Sequence, residues 1–114
     1  MFTVAIISHA EQIGKPDADM DVAAVVRVPD LCVMDSLEFV FQISQNAQEN
    51  GNDWAKEGGN IIAVTSAKRP THRSTTAGDI ISLYSAEGAR DFQVTDVRWT
   101  GVGFDLDYKD VTEN

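Results

Sequence analysis

Three closely spaced carboxylates, Asp105, Asp107 and Asp110, are the first residues whose arrangement could do chemistry, because neighbouring carboxylates can share a hard cation. A calcium-binding EF-hand loop needs an oxygen ligand at its fifth position, glycine at its sixth and glutamate at its twelfth. Counted from Asp105, Lys109 and Asp110 stand at the fifth and sixth positions, and the sequence stops before the twelfth. Calcium is therefore not expected. Gly101 and Gly103 give a G-x-G, but Leu106 stands where a third glycine would follow, and no helix comes after it to offer its N-terminus to a phosphate. His72 lies among Arg69, Arg73, Ser74, Thr75 and Thr76, so a hydroxyl beside a base is present. Adjacent loop residues rarely supply nucleophile, base and orienting acid together, and the sequence has no G-x-S-x-G elbow. Cys32, between Leu31 and Val33 with no neighbouring cation, reads as a buried, inert thiol. His9, closing an apolar stretch, reads as a strand-end or structural histidine. Two histidines and one cysteine lack any zinc-ligand spacing. No metal site and no cofactor is expected, and an enzyme is disfavoured because no acid, base, nucleophile and pocket can be named as a set.

Charge says more about partners. The 114 residues carry 18 Asp and Glu against 9 Lys and Arg, a formal net charge of −9. The excess is uneven: residues 1–57 and 79–114 are acidic, whereas residues 58–78 contain no acid and hold Lys68, Arg69 and Arg73. A negative field repels phosphate backbones and anionic membranes, so direct nucleic-acid binding is disfavoured unless that short basic loop acts alone. The acidic surface suits a basic partner, and Asp105, Asp107 and Asp110 are the residues expected to meet it. No apolar run approaches the ~18 residues of a membrane span, and the opening MFTVAIISHAEQ lacks the basic region of a secretory signal, so a cytoplasmic protein without a membrane partner is expected.

These residues need a scaffold, and the apolar pattern supplies one. Residues 2–8 and 22–28 are β-branched runs separated by a polar loop, and they read as two strands, the first buried on both faces. Asp35 with Glu38 three residues later has capping-box spacing, which predicts a helix over 36–49. Its apolar arc is Leu37, Phe39, Val40, Phe41, Ile43 and Ala47; Glu38, Gln42, Gln45, Asn46 and Glu49 form the polar stripe. Trp54, alone in a polar connection, is expected to fold back over the core edge. Further strands are read at 61–65, 80–84, 92–97 and 99–106, with a hairpin turn that includes Gly88, a bulge or bend at Gly101 and Gly103, and an acidic tail frayed at its end. The chain is short for two cores and shows no repeat or linker, so residues 1–114 are expected to form one α+β domain: a small, mostly antiparallel, curled sheet packed on one main helix.

The pairing of DSLEFVFQISQN (35–46) with HRSTTAGDIISLY (72–84) resembles the small YodL-like proteins of bacteria and their mobile elements. That group places a short helix ending near an asparagine before a segment of the form R-S-x-S-x-x-D and an apolar strand. Arg73, Ser74 and Asp79 fit the pattern, Thr76 replaces the second serine, and the likeness spans about half of the chain. The resemblance carries no activity; it implies a small accessory protein of a phage or plasmid. Independently of it, Gly78 can turn the backbone into the strand at 80–84, the hydroxyls and Asp79 can satisfy loop amides, and Arg73 can pair with Asp79 or with another acid of this acidic protein. The reading that results is a noncatalytic acidic interaction protein, a phage- or plasmid-encoded accessory or anti-defence factor or inhibitor, whose partner is a basic host protein, a nucleic-acid-handling machine among the candidates. The alternative is a small β-barrel-like RNA or nucleotide-binding module using Lys68, Arg69 and Arg73, with Trp54 or Trp99 as stacking groups.

Overall fold

The structure, a computed structural model, describes residues 2–10, 20–47, 53–65, 73–101 and 103–112. The β-branched run that opens the chain forms β1 (Val4–Ala10), and the second forms β2 (Met20–Arg27), which stops before Pro29. Then come α1 (Val33–Ile43), β3 (Ile61–Val64), β4 (Ile80–Ser85), β5 (Gly88–Thr100) and β6 (Gly103–Asp110). The strands build one six-stranded sheet in the order β3-β2-β1-β4-β5-β6, with every neighbouring pair antiparallel. The fold is α+β, and the sheet dominates it.

β1 is not buried equally on its two faces. Ala5 and Ile7 are fully buried while Val4, Ile6 and Ser8 between them are half-buried, the alternation of a strand with one core-facing side. Ala5 is opposite Val26 on β2 and Leu83 on β4, and Ile7 is opposite Ala24 and Ile81, so the core face runs straight across the central strands. Leu37, Val40 and Phe41 of α1, together with Trp54, belong to the same buried cluster. Their i, i+3, i+4 spacing is the narrow stripe that a helix of this length can bury.

The helix is shorter than 36–49 at one end and longer at the other. Cys32, not Asp35, is the N-cap: its Sγ accepts from the Asp35 backbone N–H at 3.5 Å, so the thiol is exposed and not part of the core. At the other end Ser44 Oγ donates to the carbonyls of Val40 (2.8 Å) and Phe41 (3.0 Å), and Gln45 Nε2 donates to the Phe41 carbonyl at 3.0 Å. Side chains that take helix carbonyls compete with the next backbone turn, and the helix stops at Ile43.

The imperfect alternation along β5 has a single cause. Val94 faces Tyr108 on β6 while Asp96 faces Asp107, so Thr95 is an extra residue, a bulge that inverts which parity looks inward. Before it Phe92 and Val94 are core residues; after it the inward side belongs to Val97 and Trp99, opposite Leu106 and Phe104. The bulge therefore lies at Thr95, not at Gly101 and Gly103, which belong to the turn that closes the β5–β6 hairpin. There Gly103 holds φ +152°, and Trp99 ends β5's inward row instead of opening a new strand. The expected tail is mostly strand: β6 runs to Asp110, the Val111 N–H donates to the Asp91 carbonyl at 2.8 Å, and Thr112 Oγ1 accepts from the Asp91 N–H at 2.9 Å. Among the described residues no helix is long and apolar enough to cross a membrane.

Candidate functional site

The segment that leads into β4 gathers His9, Ser44, Thr75 and Asp79, most of the buried polar side chains among the described residues. Gly78 adopts φ +97°, a region that a side chain disfavours, and this turn drives Asp79 beneath the sheet end, where it is fully buried. Its carboxylate is saturated. Oδ1 accepts from the Ala10 N–H (2.9 Å) and Arg73 Nη2 (2.7 Å); Oδ2 accepts from Arg73 Nη1 (2.6 Å) and the Thr76 N–H (2.8 Å). Arg73 adds hydrogen bonds to the carbonyls of Ser74 and Ala10, so its two terminal nitrogens are fully engaged in a fork-on-fork pair.

His9 Nε2 lies 2.9 Å from Thr75 Oγ1, and its ring meets Trp54 edge-on at 5.8 Å between centroids. Trp54 is 2% exposed, as a group covering the core edge should be, and its Nε1 donates to the Arg73 carbonyl at 2.8 Å. Thr75 donates its N–H to the Ser44 carbonyl, Gln45 Nε2 donates to the Thr75 carbonyl, and Ser74 Oγ accepts from the Asn46 N–H. The end of β1, the end of α1 and residues 73–79 are thus tied at one point.

Hydroxyl, imidazole and carboxylate in one cluster invite comparison with a nucleophilic triad, and the geometry fails it. A triad needs the hydroxyl and the acid on different ring nitrogens. Here Thr75 Oγ1 and, at 4.0 Å, Asp79 Oδ2 both approach Nε2, Thr75 is 1% exposed, and Asp79 has no lone-pair direction to spare. What the cluster does is hold three segments together. The Arg73–Asp79 pair was within the open choices of RSTTAGD; the links from Thr75 to His9 and from Asp79 to Ala10, 66 and 69 positions away, had no sequence signal.

The acidic trio does not stay together. Asp105 and Asp107 share the outward face of β6, opposite Arg98 and Asp96 on β5. Asp107 takes Arg98 Nη1 at 2.7 Å, Asp96 lies 3.4 Å from the same nitrogen, and the hydrogen bond and charge of Asp107, with the fields of Asp96 and Asp105, raise the arginine's pKa above its ordinary value. Asp110 is opposite Phe92 on the other face and pairs with Arg90 Nη2 at 2.8 Å. Hydrogen bonds from the Thr112 hydroxyl, from Arg90 and from the Thr112 N–H hold its carboxyl at about 2. Arg90 in turn lies 5.0 Å above the Phe92 ring.

Of the alternative basic set, Lys68 and Arg69 lie outside the described residues, Arg73 is engaged by Asp79, and Trp54 is buried. Trp99 is different: it is 65% exposed at the tip of the β5–β6 hairpin. Among the described residues no group of three or more His, Cys, Asp or Glu side chains could hold a metal ion. Comparison with protein-family models, with curated proteins and with solved structures yields no match.

Proposed function

We propose that this chain is a noncatalytic acidic interaction module that binds a basic host protein, with the sheet packed on its helix serving as scaffold, and that it acts as an accessory or anti-defence factor of a phage or plasmid in the cytoplasm. The observation that carries the reading is the outward face of the β5–β6 ribbon. There the exposed carboxylates of Asp96, Asp105 and Asp107 outnumber the cations of Arg98 and Lys109, leaving a local negative excess on a protein whose net charge is already −9. Such a field steers a cationic partner onto the ribbon and repels phosphate. The engagement of Arg73 and the burial of Trp54 weigh against the nucleic-acid alternative. The mobile-element part of the reading rests on the resemblance of residues 35–46 and 72–84.

The test is affinity capture from nuclease-treated host lysate, followed by binding kinetics with the captured protein. Affinity should fall as salt shortens the Debye length from about 10 Å at 0.1 M to about 3 Å at 1 M. Asp96→Asn with Asp105→Asn and Asp107→Asn should slow association by about threefold to tenfold, while Lys68→Ala with Arg69→Ala leaves it unchanged or slightly faster. Asp110 and Arg73 stay in place because both hold the fold. Binding lost only in the Lys68/Arg69 variant, or a nucleic acid as the captured species, would overturn the proposal.

A further inference from the structure

The inward row of β5 ends on an aromatic wall. Phe41 of α1 and Phe104 of β6 lie 4.9 Å apart between centroids, and Trp99 contacts both, at 6.1 Å and 5.7 Å. Two rings fix the indole in place although most of it meets solvent, so a planar apolar surface is presented without the entropy cost of ordering it on binding. Beside it a groove of about 370 Å³ runs between this hairpin tip and the polar flank of α1, lined among others by Glu38, Gln42, Gln45 and Gly103.

The lining has one sign. Among the described residues it contains no Lys, Arg or His. Glu38 is half-buried and makes no hydrogen bond or ion pair among the described residues. Gln45 directs both hydrogens of Nε2 to the Phe41 and Thr75 carbonyls and so brings no positive charge to the groove. An apolar ligand would cover the Glu38 carboxylate without replacing its water, and an anion would be repelled by it. A cation with a flat face satisfies both walls.

We infer that this groove receives an arginine side chain of the partner, its guanidinium stacked on Trp99 and hydrogen-bonded to Glu38. This rests on the basic-partner reading above and adds its anchor. Arginine fits better than lysine because the planar guanidinium can stack and still present two parallel N–H groups to one carboxylate, whereas an ammonium is a compact, strongly hydrated charge.

The probe is a synthetic peptide of alternating glycine and arginine, titrated into the isotope-labelled full chain at low ionic strength, with the glycine–lysine peptide as comparison. The chain has two tryptophans, so two indole N–H signals report separately on the groove and on buried Trp54, and Trp99→Phe assigns them. The Trp99 signal should move saturably while that of Trp54 stays. Glu38→Gln and Trp99→Ala should each weaken the arginine peptide by about tenfold or more, and the lysine peptide should bind about fivefold more weakly. Glu38→Gln is nearly isosteric, and an unmoved Trp54 signal in each variant certifies the fold. Equal binding by wild type and Glu38→Gln, with shifts on the outward face of β5 and β6 in place of the Trp99 indole, overturns the groove assignment and leaves the acidic-surface reading standing. Failure of both peptides to bind removes both.

Discussion

Asp79 shows what a single residue can require of its surroundings. A carboxylate removed from water needs its lone pairs met, and here two backbone amides and a bidentate guanidinium meet them. Arg73→Ala should therefore destabilise the protein by about 3–5 kcal/mol in urea unfolding, because it leaves that buried charge unpaired. Arg73→Lys should recover only part of the loss, since an ammonium cannot reach both oxygens with the geometry of the fork. A loss below about 1 kcal/mol for Arg73→Ala would remove the structural weight assigned to this pair. The pair itself was legible as one of the choices open to Arg73, because Arg73 and Asp79 flank a short hydroxyl-rich loop with a glycine at its turn. The state of Cys32 was not: its apolar neighbours Leu31 and Val33 suggested burial, but a helix start outranked them and turned the thiol outward as a cap.

At the scale of elements, the first four strand runs were readable because β-branched residues crowd into them, and their limits moved by one or two positions, whereas β5 extends well beyond 92–97 and the run 99–106 spans the turn between β5 and β6. The helix existed where its apolar stripe placed it. Its C-terminal end was misread because Ser44 and Gln45 look helix-compatible in sequence, while in the fold their side chains turn back onto helix carbonyls and onto residues 73–79. The bulge at Thr95 left only a broken alternation as its trace. Asp110 parts company with Asp105 and Asp107 for a simpler reason: β6 runs without interruption, and its odd and even positions take opposite faces. Two expectations belong here. Leu37→Ala should cost about 2–5 kcal/mol by opening a cavity, while Met34→Ala on the exposed side of the same helix should change stability by no more than about 0.5 kcal/mol. At the end of β6, Asp110 has a folded pKa of about 2 against an ordinary 3.8, so its contribution is complete above the ordinary value and is lost as pH falls toward 2. Thr112→Val should move the Asp110 titration, followed by carboxyl NMR, back toward the ordinary value. An unmoved titration would assign the depression to Arg90 and the backbone N–H of residue 112, without the hydroxyl.

For the whole molecule, the sheet order separates neighbours in sequence from neighbours in space. β4 and β5 each pair with their immediate successor, closing through Ser85 opposite Gly88 and Thr100 opposite Gly103, whereas β1 meets β4 only after most of the chain has been traversed. Short loops close at little entropic cost and distant ones close late, so the β4–β5–β6 ribbon can form before the seam to β1 is zipped. An Arg73–Asp79 pair still in water is worth little; its value arises when Ala10 and His9 arrive and exclude solvent. The energy of that junction thus belongs to the far side of the folding barrier. In stopped-flow experiments Arg73→Ala should express its loss mainly as faster unfolding with a nearly unchanged folding rate. How long a folded copy survives is then governed by one seam between the first strand and the fourth, whatever the depth of its apolar core.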